Sequence, residues 1–181
     1  MNFSNKVCSF TGYRLKKLYE SFSSENSMAL LKDKLCAEID DLLNDDFSTF
    51  QCGMALGADM LFADAVLEFK RKYPHVRLIA IIPCLGQEKS WNEKQQAKYR
   101  YILDNVSETK IISNSEYFDG CMQLRNRHLV ETCDLLLAVY DGKRGGTMQT
   151  VEYAKKTGRK IRIIDPTTML RVTLIEQGRL I

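Results

Sequence analysis

The chain of 181 residues carries 26 lysines and arginines against 23 aspartates and glutamates, a net charge of +3. That length suits one α/β domain over residues 1–181 with a sizeable core, and the near-neutral charge argues against a dedicated duplex-binding protein. No apolar stretch approaches the length of a membrane span, and the N-terminus lacks the apolar core of a signal peptide. We therefore expect a cytoplasmic protein that does not contact the membrane.

The first half of the chain alternates segments typical of strands and helices. A long helix is predicted to start at Ser27 as its N-cap, because apolar residues follow at three-to-four spacing. A second helix ends near Lys72, and the polar, serine-rich segment 15–26 is predicted as a loop. Three short segments bounded by turn residues predict strands over 6–11, Phe47–Cys52 and 76–82, the last of them a continuous apolar run interrupted only by Arg77.

The second half continues the same alternation. A charged helix ends near Asn105, another covers 121–132, and a third closes at Gly158. Predicted strands cover 110–112, 135–140 and 160–165, and the tail beyond them shows no clear pattern. Alternating strands and helices predict a mostly parallel sheet covered on both faces. The fold class is therefore α/β, a three-layer Rossmann-like sandwich.

A glycine loop, Gly145-Gly146-Thr147, lies between the most apolar predicted strand and the start of a helix. The first N–H groups of a helix have no intrahelical partner and carry partial positive charge, so anions bind there. The two glycines could let a phosphate approach the backbone, and Thr147 could donate its hydroxyl. The alternative is that the glycines only form a turn and Thr147 only caps the helix.

Three other unusual loops directly follow predicted strands, at 12–14, 53–59 and 83–91. Ligands of parallel α/β sheets bind outside the carboxyl ends of the strands, so all four loops are expected at one rim. The chain has no G-x-G-x-x-G after its first strand and no G-x-x-x-x-G-K-[ST]. It is therefore neither a standard dinucleotide-binding protein nor a P-loop NTPase.

The cysteines are scattered through mostly apolar segments, without a C-x-x-C pair or clustered histidines. Zinc sites and disulfide frameworks usually show such patterns. We expect reduced, mostly buried thiols and no metal site. The six residues are Cys8, Cys36, Cys52, Cys84, Cys121 and Cys133.

Five segments between residues 5 and 165 together resemble a known family: 10–14, 53–59, 82–91, 121–127 and 137–147. The chain resembles the YpsA-like proteins of the SLOG superfamily, named for the DNA-processing protein DprA and the LOG cytokinin-activating enzymes. The resemblance implies a Rossmann-like fold and a pocket for a nucleotide or a derivative such as ADP-ribose or NAD. Roles in bacterial stress response and cell division have been proposed for such proteins, and LOG-like relatives commonly form homodimers.

Charged residues in these segments are candidate ligand contacts. Arg14 could meet a phosphate as a fork or lie free on the surface. Arg125 is assigned to phosphate by resemblance, with Asn126 beside it, while Arg127 points elsewhere on the helix. Asp59 could accept ribose hydroxyls or cap its helix. The full candidate set is Gly12, Arg14, Gly53, Gly57, Asp59, Arg125, Asn126, Gly145, Gly146 and Thr147.

Three functions remain open at this point. The first is a nucleotide-binding or sensor protein with a small nucleotide-like ligand. The second is a nucleoside monophosphate N-glycosidase, as in LOG relatives, but their pattern places a glutamate where this chain has Thr150, and Glu152 comes two residues later. Relatives often have histidine where this chain has Tyr13, which removes an acid-base group. The third is single-stranded DNA binding, as in DprA relatives, which the charge disfavours.

Overall fold

The computed structural model describes residues 6–175 and 179–180. Strands and helices alternate as predicted between residues 6 and 164, except that two helices follow the first strand. They are β1 (Lys6–Gly12), α1 (Leu15–Ser21), α2 (Ser27–Asn44), β2 (Phe47–Cys52), α3 (Ala58–Lys72), β3 (Arg77–Ile82), α4 (Glu93–Asn105), β4 (Glu108–Ile111), α5 (Cys121–Glu131), β5 (Leu135–Val139), α6 (Gly146–Lys156), β6 (Lys160–Ile164), β7 (Arg171–Ile175) and β8 (Arg179–Leu180).

All of these strands join one sheet in the order β4-β3-β2-β1-β5-β6-β7-β8. The first six strands pair in parallel, and β7 and β8 are added antiparallel at one edge. The strand order reverses between β1 and β5, which are themselves paired from Cys8↔Leu135 to Gly12↔Val139. The predicted α/β, mostly parallel Rossmann-like sheet is confirmed, and its reversal point is where such sheets bind ligands.

Helices cover both faces of this sheet. Helices α1 to α4 pack on one face around a large apolar core that includes Phe10, Phe50 and Phe62. Phe10 and Phe62 stack with ring centroids 4.3 Å apart. Helices α5 and α6 pack on the other face around a smaller core that includes Leu136 and Val151. The result is the predicted three-layer arrangement.

Hydrogen bonds between buried polar side chains fix α5 against the sheet. The Gln51 amide donates to the Ser9 hydroxyl at 2.8 Å and to the Thr132 hydroxyl at 2.7 Å. The Ser9 hydroxyl donates in turn to the backbone carbonyl of Leu129 at 2.6 Å. Because hydrogen bonds are directional, these contacts set the rotation of α5 more strictly than apolar packing would.

Two local predictions were wrong. Segment 15–26 is not all loop, since Leu15–Ser21 forms α1 and buries Leu18 against the core. Ser27 is the first residue of α2 rather than its cap, and Asn26 precedes it without a capping hydrogen bond from its side chain. In the first case a single buried apolar residue was enough to stabilise a short helix in a polar stretch.

The antiparallel edge was not predicted from the sequence of the tail. Glu38 of α2 is only 1% exposed and contacts Arg162 of β6 at 3.7 Å and Arg171 of β7 at 3.2 Å. Arg171 also pairs with Asp41 at 2.7 Å. A buried carboxylate of α2 thus joins the helix to the last parallel strand and to the first antiparallel one.

The prediction of one domain over 1–181 includes residues 1–5, 176–178 and 181, which lie outside the described residues. Among the helices of the described ranges, none combines the length and apolar character needed to cross a membrane.

Candidate functional site

A cavity of about 260 Å³ lies at the carboxyl ends of β1 and β5, where the strand order reverses. It brings together eight of the ten candidate residues, from loops and helices far apart in the sequence. The residues that line it are Thr11, Gly12, Tyr13, Arg14, Lys17, Ala55, Asp59, Met122, Arg125, Asn126, Gly145, Gly146 and Thr147. We refer to it as the rim pocket.

Arg125 of α5 lies at the wall of the rim pocket and is only 4% exposed. Its Nε donates to Oδ1 of Asn126 at 2.8 Å. Its Nη1 is buried and makes no hydrogen bond to any residue that the structure describes. Burial lowers the pKa of Arg125, although the nearby Asp59 opposes that shift. The pocket therefore contains a desolvated cation with an unused donor.

Asp59 lies in the first turn of α3, also buried at the pocket wall. Its Oδ2 accepts the backbone N–H of Ala55 at 3.3 Å and lies 3.9 Å from Nη1 of Arg125. That separation gives electrostatic attraction but is too long for a hydrogen bond. Burial raises the pKa of Asp59, and Arg125 limits the rise. Asp59 thus stabilises the arginine only in part.

Two of the candidate glycines lie behind the rim pocket. A Cβ atom on Gly53 would lie 1.3 Å from Nη1 of Arg125, so only glycine leaves room for this guanidinium. Gly57 has φ of 116°, and a Cβ there would lie 2.5 Å from the carbonyl oxygen of Tyr13. The sequence predicted that these glycines admit a ligand, whereas the structure places neither of them in the lining.

The glycine loop forms the opposite wall. Helix α6 begins at Gly146, and Gly145 before it provides no side-chain cap. The first N–H groups of α6 therefore have no intrahelical acceptor. A Cβ on Gly146 would meet nothing within 4 Å, so this helix end is open toward the cavity. Thr147 is buried and lines the same cavity.

A third group of contacts joins the loop after β1 to the loop after β5. The Tyr13 hydroxyl donates to Oδ1 of Asp141, and Nζ of Lys143 pairs with Oδ2 at 2.7 Å. Burial and this hydrogen bond raise the pKa of Tyr13 well above its ordinary value. Burial alone would raise the pKa of Asp141, but the hydrogen bonds from Lys143 and Tyr13 outweigh it and lower that pKa.

Lys17 of α1 is a pocket residue that the sequence reasoning missed. Its Nζ lies 4.3 Å from the ring centroid of Tyr13 and donates to the carbonyl oxygen of Arg144 at 2.7 Å. It thereby joins α1 to the glycine loop. The available signal was its position three residues after Arg14, but that spacing matters only once α1 is recognised as a helix.

A second cavity of about 350 Å³ runs between α5 and α6. Arg127 lies here, with its guanidinium 5.8 Å from the ring centroid of Tyr153, and not in the rim pocket. Asn126 lines both cavities. The residues of this α5–α6 groove are Gln123, Asn126, Arg127, Met148, Gln149, Thr150, Glu152, Tyr153 and Lys156.

Three other residues from the loops and helices near this edge of the sheet, Gln87, Trp91 and Glu152, lie outside the rim pocket. Trp91 packs edge-on against Tyr99 at 5.3 Å, beside the core, and Gln87 donates to the Tyr99 hydroxyl at 3.2 Å. Glu152 pairs with Lys155 at 2.8 Å and faces the groove. Among the residues that the structure describes, no group of three or more His, Cys, Asp or Glu side chains could hold a metal ion.

Solved structures of two other proteins share this fold. DNA processing protein A from Helicobacter pylori, in a structure that concerns its single-stranded DNA binding mode, superposes with a TM-score of 0.61 at 14% identity, over 90% of this chain and 66% of that one. The protein of the same name from Streptococcus pneumoniae superposes with a TM-score of 0.61 at 18% identity, over 88% of this chain and 50% of that one. At such identities the likeness concerns the fold alone, and this chain spans 66% and 50% of those chains.

Sequence relatives are nearer. The chain is 34% identical over 143 residues to the uncharacterized SPbeta prophage-derived protein YoqJ of Bacillus subtilis, covering 72% of this chain and 84% of the relative. It is 31% identical over 168 residues to a UPF0398 protein of Halalkalibacterium halodurans, covering 89% of this chain and 88% of the relative. A family model described as the YspA SLOG family matches residues 8–169. The chain therefore belongs to the YpsA SLOG family, as its motifs predicted.

Proposed function

We propose that this protein binds a phosphate-bearing nucleotide or nucleotide derivative, such as ADP-ribose or NAD, and acts as a sensor of that ligand. The observation that carries the proposal is the buried Nη1 of Arg125, which has no hydrogen-bond acceptor within the described chain. A buried cation without full pairing is costly, so such groups are usually satisfied by a partner. In this proposal the guanidinium turns toward an anionic ligand oxygen in the rim pocket, which then supplies that partner.

Phosphate fits the pocket better than a neutral group because positive charge surrounds it. Arg14, Lys17 and Arg125 line the cavity against the one carboxylate of Asp59. The open N-terminus of α6 adds backbone N–H donors and the positive end of the helix dipole. Guanidinium groups bind phosphate oxygens with strong, charge-assisted hydrogen bonds.

The rest of the ligand is proposed to extend past Asn126 into the α5–α6 groove. Asn126 uses its Oδ1 to accept from Arg125, which leaves its amide N–H groups for a ligand at the boundary of the two cavities. The groove offers the ring of Tyr153 and the thioether of Met148 as apolar surfaces. A nucleoside, which is partly apolar and has many hydrogen-bonding groups, suits such a surface.

One feature favours the enzyme alternative, a nucleotide N-glycosidase. Asp59 is a buried carboxylate in the pocket with a raised pKa, and such groups often act as general acids or bases. Against it, the LOG-like glutamate position is occupied by Thr150 and therefore has no carboxylate. The hydroxyl of Thr150 donates to the carbonyl oxygen of Gly146 at 2.9 Å. Binding without hydrolysis is therefore the preferred proposal.

The test is a binding panel of inorganic phosphate, AMP, ADP, ADP-ribose and NAD, followed by thermal shift and calorimetry. Arg125→Ala should lose most of the stabilisation that a bound nucleotide gives to the wild type. Arg100→Ala is the matched control, because Arg100 is an exposed arginine of α4 that lines neither the rim pocket nor the α5–α6 groove. Equal binding to Arg125→Ala and the wild type refutes the proposed phosphate site.

Two further readouts separate the alternatives. Release of free base from AMP by the wild type, lost in Asp59→Asn, supports the N-glycosidase. Tight, strongly salt-dependent binding of single-stranded oligonucleotides, with no nucleotide binding, supports the DNA-binding alternative.

A further inference from the structure

Two cysteines next to the rim pocket lie close together. Cys84 begins the loop after β3, and Cys121 is the first residue of α5. Both side chains are fully buried, and the Cys121 thiol donates to Sγ of Cys84 across 3.9 Å. The two residues are 37 positions apart in the chain, so the contact is a product of the fold.

The segments that carry these cysteines are already joined. The backbone N–H of Leu85 donates to the carbonyl oxygen of Ser115 at 2.9 Å, and Lys89 forms an ion pair with Glu116. A disulfide needs its sulfurs about 2.05 Å apart, so the two Sγ atoms must approach by roughly 2 Å.

Other buried cysteines have different contacts. The thiol of Cys8 donates to the carbonyl oxygen of Ser9, and that of Cys133 donates to the carbonyl oxygen of Val130. Cys52 lies against the sulfur of Met54 at 3.8 Å. Among these thiol contacts, the one between Cys84 and Cys121 joins two cysteine sulfurs, which can form a disulfide.

We propose that Cys84 and Cys121 form a reversible disulfide under peroxide, and that this bond weakens ligand binding in the rim pocket. The second half of this proposal rests on the proposed function. One thiolate attacks hydrogen peroxide, which gives a sulfenic acid and releases hydroxide that takes up a proton to become water. The second thiol displaces the hydroxyl group as another water, so two thiols are oxidised and one peroxide is reduced to two waters.

The link to the pocket is helix α5 itself. Met122, Arg125 and Asn126 all line the rim pocket, and Arg125 follows Cys121 by one helical turn. Gly120 precedes the helix with φ of 96° and has open space where a Cβ would be. The first turn can therefore shift when Cys121 is drawn toward Cys84, and the guanidinium of Arg125 shifts with it.

The test starts with reduced protein treated with hydrogen peroxide and then alkylated under denaturing conditions. Intact mass should show that two of the six thiols escape alkylation, and peptide mapping should find the Cys84–Cys121 cross-link. Cys84→Ser and Cys121→Ser should abolish it, while Cys36→Ser, a half-buried cysteine on α2, should retain it. Oxygen addition without a cross-link, or a cross-link between other cysteines, overturns the proposal.

The rate of oxidation gives a second check. Burial raises the pKa of Cys84, so less of it is thiolate at neutral pH. Since the thiolate is the nucleophile, cross-linking should accelerate from neutral to mildly alkaline pH. Circular dichroism of both serine variants shows whether they retain the fold.

The effect on binding is measured with whichever nucleotide the reduced wild type binds. Its dissociation constant should rise about fivefold or more on oxidation, the lower end of typical coupling between sites. The value should return after reduction, and peroxide should not change it in Cys84→Ser. A cross-link that leaves the affinity unchanged refutes the coupling. If the reduced protein binds no nucleotide, the proposed function fails, but mass analysis still decides whether the disulfide forms.

Discussion

Adding a methyl group at Gly53 should weaken ligand binding in the rim pocket, although Gly53 itself is not one of the residues that line it. A Cβ at this position would lie 1.3 Å from Nη1 and 2.1 Å from Cζ of Arg125, distances at which two atoms cannot coexist. The backbone of β2 and its loop is fixed by the sheet, so the flexible arginine must leave. Gly53→Ala is therefore expected to behave like a substitution of Arg125.

The magnitude follows from the interaction that is lost. A hydrogen bond to a charged group contributes about 1.5–3 kcal/mol. Since 1.4 kcal/mol corresponds to tenfold in affinity, nucleotide binding should weaken by roughly 10- to 150-fold. Folding stability should change less, because the displaced guanidinium gains solvation while Asp59 loses a partner that it contacted only at 3.9 Å.

The assay is a double-mutant cycle of Gly53→Ala and Arg125→Ala, followed by calorimetric titration of the nucleotide. If the methyl group acts only through the arginine, the double variant should bind no more weakly than either single variant. Arg100→Ala, an exposed arginine of α4 that lines neither cavity, serves as the control that retains full affinity. Additive losses, or wild-type affinity in Gly53→Ala, would show that Arg125 does not hold the ligand as proposed.

Three other predictions concern stability. Glu38→Gln should destabilise the protein by about 1–3 kcal/mol in urea unfolding, because it removes a buried carboxylate from arginines of β6 and β7 that still pair with Asp45 and Asp41; an unchanged unfolding midpoint would contradict this. The pKa of Asp141 is lowered in the folded state. The Asp141 carboxylate therefore stabilises the fold fully above the ordinary aspartate pKa, and this stabilisation is lost as the pH falls through the lower pKa of the folded state. Tyr13→Phe removes one hydrogen bond to that carboxylate, and acid unfolding should then begin at higher pH; an unchanged acid transition would argue against this contact. Gly57→Ala should cost about 1–3 kcal/mol for its left-handed backbone and more for its contact with Tyr13, whereas Gly146→Ala should fold like the wild type; equal melting temperatures for the two variants would refute the reasoning.

The sequence was sufficient for the parallel part of the fold. Short apolar runs bounded by glycine, proline and aspartate marked β1, β2, β3 and β5, and the rim loops followed from the rule that parallel strands end at one edge. Most of the candidate residues then met in one cavity. These inferences succeeded because they depend on local patterns and on chain order.

The parts that the sequence did not predict depend on tertiary contacts. Helix α1 is stabilised by the burial of Leu18 in a polar segment, and it brings Lys17 to the pocket. The antiparallel edge depends on Glu38, whose arginine partners are more than 120 positions away. Gly53 was a candidate ligand residue, and its contact with the guanidinium of Arg125 becomes visible only when the position of Arg125 is known. No local pattern contains such information.

Three helices, α3, α5 and α6, begin at the rim where the pocket lies. Their peptide dipoles all present their positive ends there, and this contribution comes from the main chain rather than from any side chain. A protein whose formal charge is only +3 can thus hold a strongly anion-attracting spot in one place. Side-chain substitutions can weaken that attraction but not remove it, so even Arg125→Ala should retain measurable affinity for phosphate at low ionic strength.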